Sequence, residues 1–272
     1  MNKADLLYKE LVEDIQKNGS WDKGEQVRTK YADGSPAYTK HIFGKQIVFE
    51  EGEIPLLTTK FVGWKTATKE MYLFWVKQTT LAADFEELAC TIWREWYGHY
   101  TTGYGIGKSY GYQLKKYKQV EELIYQIENN PQSRRLMTSF WSPEDIGEKA
   151  LQECAMQTTW NVVNGKLELI LYSRSLDVAL GCPYNWIQYW ILLQWVAQAT
   201  GYKAGRFIHQ IGNAHYYDRH EELLLQQIQG ESHDQPIFEL NKEVNDFFSF
   251  KPDDVKIKEY KHNGKFEYEV AI

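Results

Sequence analysis

The sequence predicts an α+β fold in a single domain, and three observations carry that prediction. Two segments of alternating apolar residues (Met156, Thr158 and Trp160, then Leu167, Leu169 and Leu171) flank Asn164-Gly165 and read as a hairpin with one buried face. Helical spacing marks residues 4–17, 66–77, 120–127 and 186–200 on either side of it. No internal repeat, low-complexity run or linker interrupts the 272 residues, and 43% hydrophobic content is enough for a sizeable core.

Charge and cysteine usage narrow the function classes. The formal net charge is −6 and the pI about 5.7. That balance argues against bulk attraction to nucleic acid or anionic membranes, so neither an RNA nor a membrane partner is expected. A small anionic substrate stays compatible, because it needs only a local arginine cluster. No signal-peptide core and no bilayer-length apolar stretch occur, which predicts a cytoplasmic protein. Cys90, Cys154 and Cys182 fit neither a disulfide framework nor a zinc-ligand spacing, so no metal is expected.

Along the chain, residues 4–17 set Leu6, Leu11 and Ile15 among charges, an amphipathic helix ended by Asn18-Gly19. Residues 27–34 form a polar loop with one arginine, Arg28. A strand is expected over 41–50 with Ile42, Ile47 and Phe49 inward, then a buried turn over 54–60. The helix at 66–77 gathers Ala67, Met71, Phe74 and Trp75 on one side and carries Glu70 within that apolar stretch. A helix glutamate is ordinarily a solvated surface group. Among aromatics, desolvation favours its acid form, which suits a group that both donates and accepts protons.

A short helix at 82–88 precedes Thr91-Ile-Trp-Arg-Glu-Trp96, whose two tryptophans share a helical face. The Gly- and Tyr-rich stretch 97–109 shows neither a helix nor a strand period. A helix at 120–127 ends at Asn129-Asn-Pro, and Ser133-Arg-Arg135 opens a strand through Leu136, Thr138 and Phe140. Ser142-Pro then begins a further helix. Beyond the hairpin, 186–200 is a core helix stopped by Gly201, and 207–217 is a strand that leads into a helix near Tyr217. Residues 235–272 alternate strand-like segments.

The hairpin concentrates the chemistry. Cys154 heads its first strand, and its second ends in Arg174, Ser175 and Asp177, then a Gly181-Cys-Pro183 turn and Asn185. Strand pairing would bring Cys154 and Arg174 to one sheet edge. A thiol is mostly protonated at neutral pH, and a nearby guanidinium favours the nucleophilic thiolate. Cysteine is more often a small buried hydrophobe. Here Gln152, Glu153 and Gln157 make the surroundings polar, and Arg134-Arg135 upstream adds a second anion-binding cluster. These surroundings speak for a nucleophile and leave the structural reading open.

Together these residues resemble the thymidylate synthase family, from near the first helix to the last three residues. The resemblance implies a large mixed β-sheet with surrounding helices, and a homodimer packed sheet to sheet. It implies reductive methylation of deoxyuridylate (dUMP) to thymidylate (dTMP), with 5,10-methylenetetrahydrofolate as co-substrate and no metal. Cys154 would add to carbon 6 of the uracil, with Glu70, Arg174 and Tyr110 (in Tyr110-Gly-Tyr-Gln113) completing the catalytic set. Arg28, Arg174 and Ser175 would hold the phosphate together with Arg134 and Arg135 donated across the dimer interface. Asn185 would read the base edge, His215 and Tyr217 the deoxyribose, and Asp177 would face both ligands. The folate would meet Lys60, Ile92, Trp93, Trp96, Asp177, Gly181, Tyr184 and Ala271, the last in the C-terminal Val270-Ala-Ile272.

The chain departs from the family pattern at Gln152-Glu153, where a proline-containing pair is usual, at Ala155, where histidine is common, and at Asn213, where aspartate is common. Two other readings share much of this evidence: a dUMP hydroxymethylase of the same fold, and a non-catalytic nucleotide- or RNA-binding relative. Asn185 speaks for uracil and Trp93 for methylation. The joint presence of Cys154, Glu70, Arg174 and Asn185 speaks for catalysis.

Overall fold

The expected hairpin lies inside a six-stranded mixed sheet of a computed structural model that describes residues 2–272. The elements in chain order begin with α1 (Lys3–Asn18), β1 (Ser20–Trp21), β2 (Thr39–Phe49), α2 (Trp64–Met71) and α3 (Ala82–Glu87). A small hairpin follows, β3 (Gly98–Tyr100) and β4 (Gly103–Gly105), then α4 (Gly111–Lys116), α5 (Gln119–Asn129) and β5 (Met137–Ser139). The central part comprises β6 (Ala155–Val163), β7 (Lys166–Asp177), α6 (Gly181–Ala199) and β8 (Lys203–Tyr217). The chain closes with α7 (Glu221–Ile228), β9 (Ile237–Leu240) and β10 (Val255–Lys258). The large sheet runs β1-β2-β8-β7-β6-β5, with β7 and β8 parallel and every other pair antiparallel.

Local chemistry explains the central pieces. Asn164 and Gly165 take φ values of 51° and 75°, the left-handed pair that a two-residue hairpin turn needs. Parallel strands require a crossover, and α6 supplies it between β7 and β8. From Trp186 to Val196 this helix is apolar nearly all round because protein surrounds it. Trp186, Ile191, Leu192, Leu193 and Trp195 are fully buried. His209 on β8 ties the layers together. Trp186 Nε1 donates to its Nδ1 at 3.2 Å, so its Nε2–H faces Ser173 Oγ at 2.8 Å on β7. Burial pushes the His209 pKa down to about 3, so it stays neutral and structural.

Several expectations are corrected. Leu6 is exposed, and Tyr8 and Val12 fill the core face of α1 instead. Ile42 and Ile47, of opposite parity, both turn inward because Gly44 between them has φ of +80° and breaks the alternation. Met156 is only half-buried: a register shift between Ala155 and Gln157 moves Ala155 inward in its place. The stretch 97–109 holds the β3–β4 hairpin. Gly181-Cys-Pro183 is the first turn of α6, not a separate turn, since proline needs no helical partner for its nitrogen there. Arg134 and Arg135 sit in a turn ahead of β5, both exposed, and do not enter the strand. Beyond Met71 the helix widens into a π-helical turn, Tyr72–Val76, which periodicity did not reveal.

One glycine is positioned by close approach. A Cβ on Gly212 would lie 2.7 Å from the Arg174 carbonyl oxygen on the neighbouring strand. Gly212→Ala should therefore destabilise the protein by about 1–3 kcal/mol and lower kcat/KM, because β8 must back away where Arg174 is held. Thermal melts and steady-state assays check this; a variant unchanged in both would contradict it.

Candidate active site

Cys154 lies one residue before β6, and its carbonyl accepts from the Arg174 N–H at 2.9 Å, so the two residues face each other across the sheet edge. The Arg174 guanidinium turns back along the cysteine segment. Its Nε donates to the Glu153 carbonyl at 2.9 Å and its Nη2 to the Gln152 carbonyl at 3.0 Å. It also stacks 5.6 Å from the Trp141 ring. The expected activation of the thiol is only partly met. Burial pushes the Cys154 pKa up; Arg174 and Arg28 pull it down, Asp177 and Glu153 push it further up, and the net shift is upward. Desolvation wins over the guanidinium, so the free protein holds a thiol.

Glu70 is buried on α2. Trp93 Nε1 donates to its Oε1 at 2.8 Å, and Gln188 Nε2 donates to its Oε2. Gln188 Oε1 in turn accepts from Asn185 Nδ2 at 3.1 Å. Burial outweighs both hydrogen bonds and raises the Glu70 pKa to about 7. Tyr110 stacks on Phe74 with ring centroids 4.7 Å apart and lies edge-on to Trp93 at 6.0 Å. Burial holds its hydroxyl well above the usual range, and Cys154, Glu153 and Glu70 all add to that. The thiol, the phenol and the carboxyl therefore share one neighbourhood, in which Glu70 is buried and Cys154 and Tyr110 are half-buried.

Around them, Asp177 at the end of β7 accepts from the Ala179 and Leu180 N–H groups at 2.9 and 3.1 Å, which turns the chain into α6. His215 Nδ1 meets Asn213 Oδ1 at 2.9 Å, and burial lowers its pKa. Tyr217 is edge-on to His215, with its pKa raised to about 12 by burial. Lys60 Nζ donates to the Ala179 carbonyl at 2.6 Å and lies 4.9 Å from the Tyr268 ring; burial lowers its pKa to about 8. The last residue, Ile272, exchanges two backbone hydrogen bonds with Lys30 at 2.8 and 2.9 Å. The C-terminal segment with Ala271 is thus clipped to the loop that carries Arg28.

Comparison with known proteins decides the family. The thymidylate synthase family model matches residues 6–272. The chain belongs to the thymidylate synthase family. Thymidylate synthase from Bacillus phage phi3T is 40% identical over 282 residues, covering all of both chains. The enzyme of Fusobacterium nucleatum is 38% identical over 275 residues, covering 98% of each. Among solved structures, thermostable thymidylate synthase A from Bacillus subtilis superposes with a TM-score of 0.93 at 40% identity, covering 99% of each chain. The α+β fold on a mixed sheet that the thymidylate synthase resemblance implied is the one observed.

Within this thymidylate synthase fold the expected residues fall into two groups. Cys154, Arg174, Tyr110, Glu70, Asn185, Asp177, His215 and Tyr217 are linked by the contacts above or by mutual electrostatic effects, and Arg28 reaches Cys154 in the same way. Ser175 pairs with Asn213 across β7 and β8. Ile92, Trp93 and Trp96 share a 3-10 turn with the two indoles 5.8 Å apart, while Tyr184 and Gly181 belong to α6. Arg134 and Arg135 stand apart. Leu136 pairs with Trp160 at the far half of β6, about 20 Å along the strand from Cys154 at 3.3 Å per residue.

Sequence reasoning passed over one group. Lys149 Nζ meets Glu153 Oε2 at 2.8 Å, both side chains fully enclosed; the stretch is not helical, so no spacing rule in the sequence pointed to the pair. Glu153 Oε1 has no hydrogen-bond partner. Burial raises the Glu153 pKa against the pull of Lys149.

The Glu70 pKa gives a stability test. Folding raises it to about 7, so the native state is favoured most while the group is neutral, and loses stability as pH rises through about 7. Glu70→Gln keeps a partner for both neighbours without a charge. It should stabilise the protein by about 2–3 kcal/mol at pH 8.5 and far less at pH 5. Melting curves at the two pH values check the difference; an equal effect at both would contradict the burial assignment.

Proposed function

We propose that this chain methylates dUMP reductively to dTMP, with 5,10-methylenetetrahydrofolate as its second substrate. The observation that carries the reading is a single site holding Cys154 against Arg174, with Tyr110 close to both Cys154 and buried Glu70. Cys154 Sγ bonds to carbon 6 of the uracil, and the electron pair of the 5,6 double bond moves to carbon 5 and the carbon-4 carbonyl. Glu70, titrating near neutrality, takes up and returns protons at that face of the base. Tyr110, kept protonated, is a hydrogen-bond donor there. Arg174 has guanidinium donors left after its two backbone bonds, and with Arg28 and Ser175 it holds the phosphate. His215 and Tyr217 hold the sugar.

The folate supplies the one-carbon unit and the hydride. The residues present suit a flat pterin: Ile92 and Trp96 leave apolar surface open beside buried Trp93, and Tyr184 lies over Gly63, where a Cβ would meet its hydroxyl at 2.6 Å. In this reading Asp177, Gly181, Lys60 and Ala271 complete the folate contacts. The position of Arg134 and Arg135, about 20 Å along β6 from their own Cys154, supports their service to a neighbouring subunit's phosphate in a sheet-to-sheet homodimer.

Three measurements test the proposal. Incubation with dUMP and methylenetetrahydrofolate should yield dTMP and dihydrofolate; a hydroxymethyl product with tetrahydrofolate, or no turnover, would overturn it. Cys154→Ser should abolish turnover while dUMP affinity stays within about tenfold. Finally, Cys154→Ser protein mixed with an Arg134→Ala, Arg135→Ala double variant, each inactive alone, should regain partial activity after subunit exchange. Failure to recover any would refute the trans arrangement.

A further inference from the structure

We infer that Gln188 is a positioning residue that couples the orientation of the Asn185 carboxamide to the proton on Glu70, so that one proton decides which pyrimidine edge Asn185 matches. The inference rests on the reading of Asn185 as the base-reading residue. It follows from the donor and acceptor count along one chain of contacts. Trp93 Nε1 can only donate, so Glu70 Oε1 accepts from it in either protonation state, and a proton on Glu70 is placed best on Oε2, whose partner Gln188 can turn a carbonyl to accept it. Oε2 faces Gln188.

When Glu70 is ionised, Oε2 only accepts, so Gln188 must offer Nε2 to it and turn Oε1 toward Asn185. Asn185 then gives Nδ2 to Gln188, which leaves its Oδ1 and its second N–H for the base. When Glu70 is protonated, Oε2–H donates. Gln188 must then present its carbonyl to Glu70 and its amide to Asn185, and Asn185 must turn its own carbonyl inward. The face offered to the base is reversed. Uracil shows an acceptor at O4 beside a donor at N3, and cytosine shows the opposite order. The arrangement with ionised Glu70 is the one seen here, and it is matched to uracil under the proposed function.

Two members of the relay are enclosed by protein. Gln188 is 4% exposed and Glu70 7%. The titratable groups that feel Glu70 are Cys90, Tyr110, Tyr184 and Tyr189, and burial holds each of them upward and neutral between pH 6 and 8.5. Since Glu70 titrates near 7, preference for dUMP over dCMP should be strongest above that pH and weaken below it.

The experiment is calorimetric binding of dUMP and dCMP to the full-length protein. Glu70→Gln fixes the protonated pattern, because its carbonyl takes the Trp93 bond and its amide faces Gln188. It should lower the dUMP:dCMP affinity ratio by about tenfold or more at pH 8.5 and remove its pH dependence. Gln188→Met, similar in length, breaks the relay: on that background Glu70→Gln should leave the ratio unchanged. A wild-type ratio in Glu70→Gln, or an equal effect with and without Gln188, would overturn the coupling. Asn185→Ala separates the two ideas. If it leaves the ratio intact, the base-reading role is wrong; if it collapses the ratio while Glu70→Gln does not, only the relay is wrong.

Discussion

The guanidinium of Arg174 on the carbonyls of Gln152 and Glu153 is the contact on which the rest of the site depends. Those carbonyls lie just outside β6 and have no ladder partner, so a charge-assisted donor from β7 satisfies both at once. The segment that carries Cys154 is thereby fixed to the strand that carries Arg174, Ser175 and Asp177. Everything behind that strand serves to keep it still. Gly212 lets β8 approach the Arg174 carbonyl, and neutral His209 pins β7 and β8 to Trp186 on α6. The same helix presents Asn185 and Gln188, three residues apart and flanking Trp186 in sequence.

Desolvation is the second constraint, and it acts in the same sense on Cys154, Tyr110 and Glu70. It keeps Cys154 a thiol, Tyr110 a phenol and Glu70 half-ionised near neutral pH, although arginines and hydrogen bonds oppose it at Cys154 and Glu70. The phosphate brings its own charge, which exposed Arg28 and Arg174 can meet. The buried Lys149–Glu153 pair follows the same rule: it is paired because a lone carboxylate in that place would be too costly.

Much of this was legible in the residues. Alternation and the Asn164-Gly165 turn specified the hairpin and brought Cys154 and Arg174 to one sheet edge, but that turn register alone would pair Cys154 with Ser175. The shift between Ala155 and Gln157, which alternation does not show, sets Arg174 opposite Cys154. Apolar spacing located Glu70 in a buried stretch. Three further things were hidden, each for a physical reason. The start of α6 was missed because Gly181-Cys-Pro183 looks like a turn, while Asp177, six residues before Pro183, provides the N–H partners that let a helix begin. The place of Arg134 and Arg135 depends on where a turn ends, the least determined feature of local sequence. The sign of the Cys154 shift is a competition between burial and charge, and spacing reports only the charge.

The account stands or falls on Cys154 as the atom that bonds to the base while the folate is present. Replacing the hydrogen on carbon 5 of dUMP with fluorine blocks its loss as a proton, so the reaction should halt with nucleotide, folate carbon and enzyme joined. Mass spectrometry of the protein incubated with 5-fluoro-dUMP and methylenetetrahydrofolate measures this directly. The predicted result is a mass increase equal to both molecules, mapped to the peptide that contains Cys154. An unmodified protein, or an adduct on buried Cys90 or Cys182, would contradict the account.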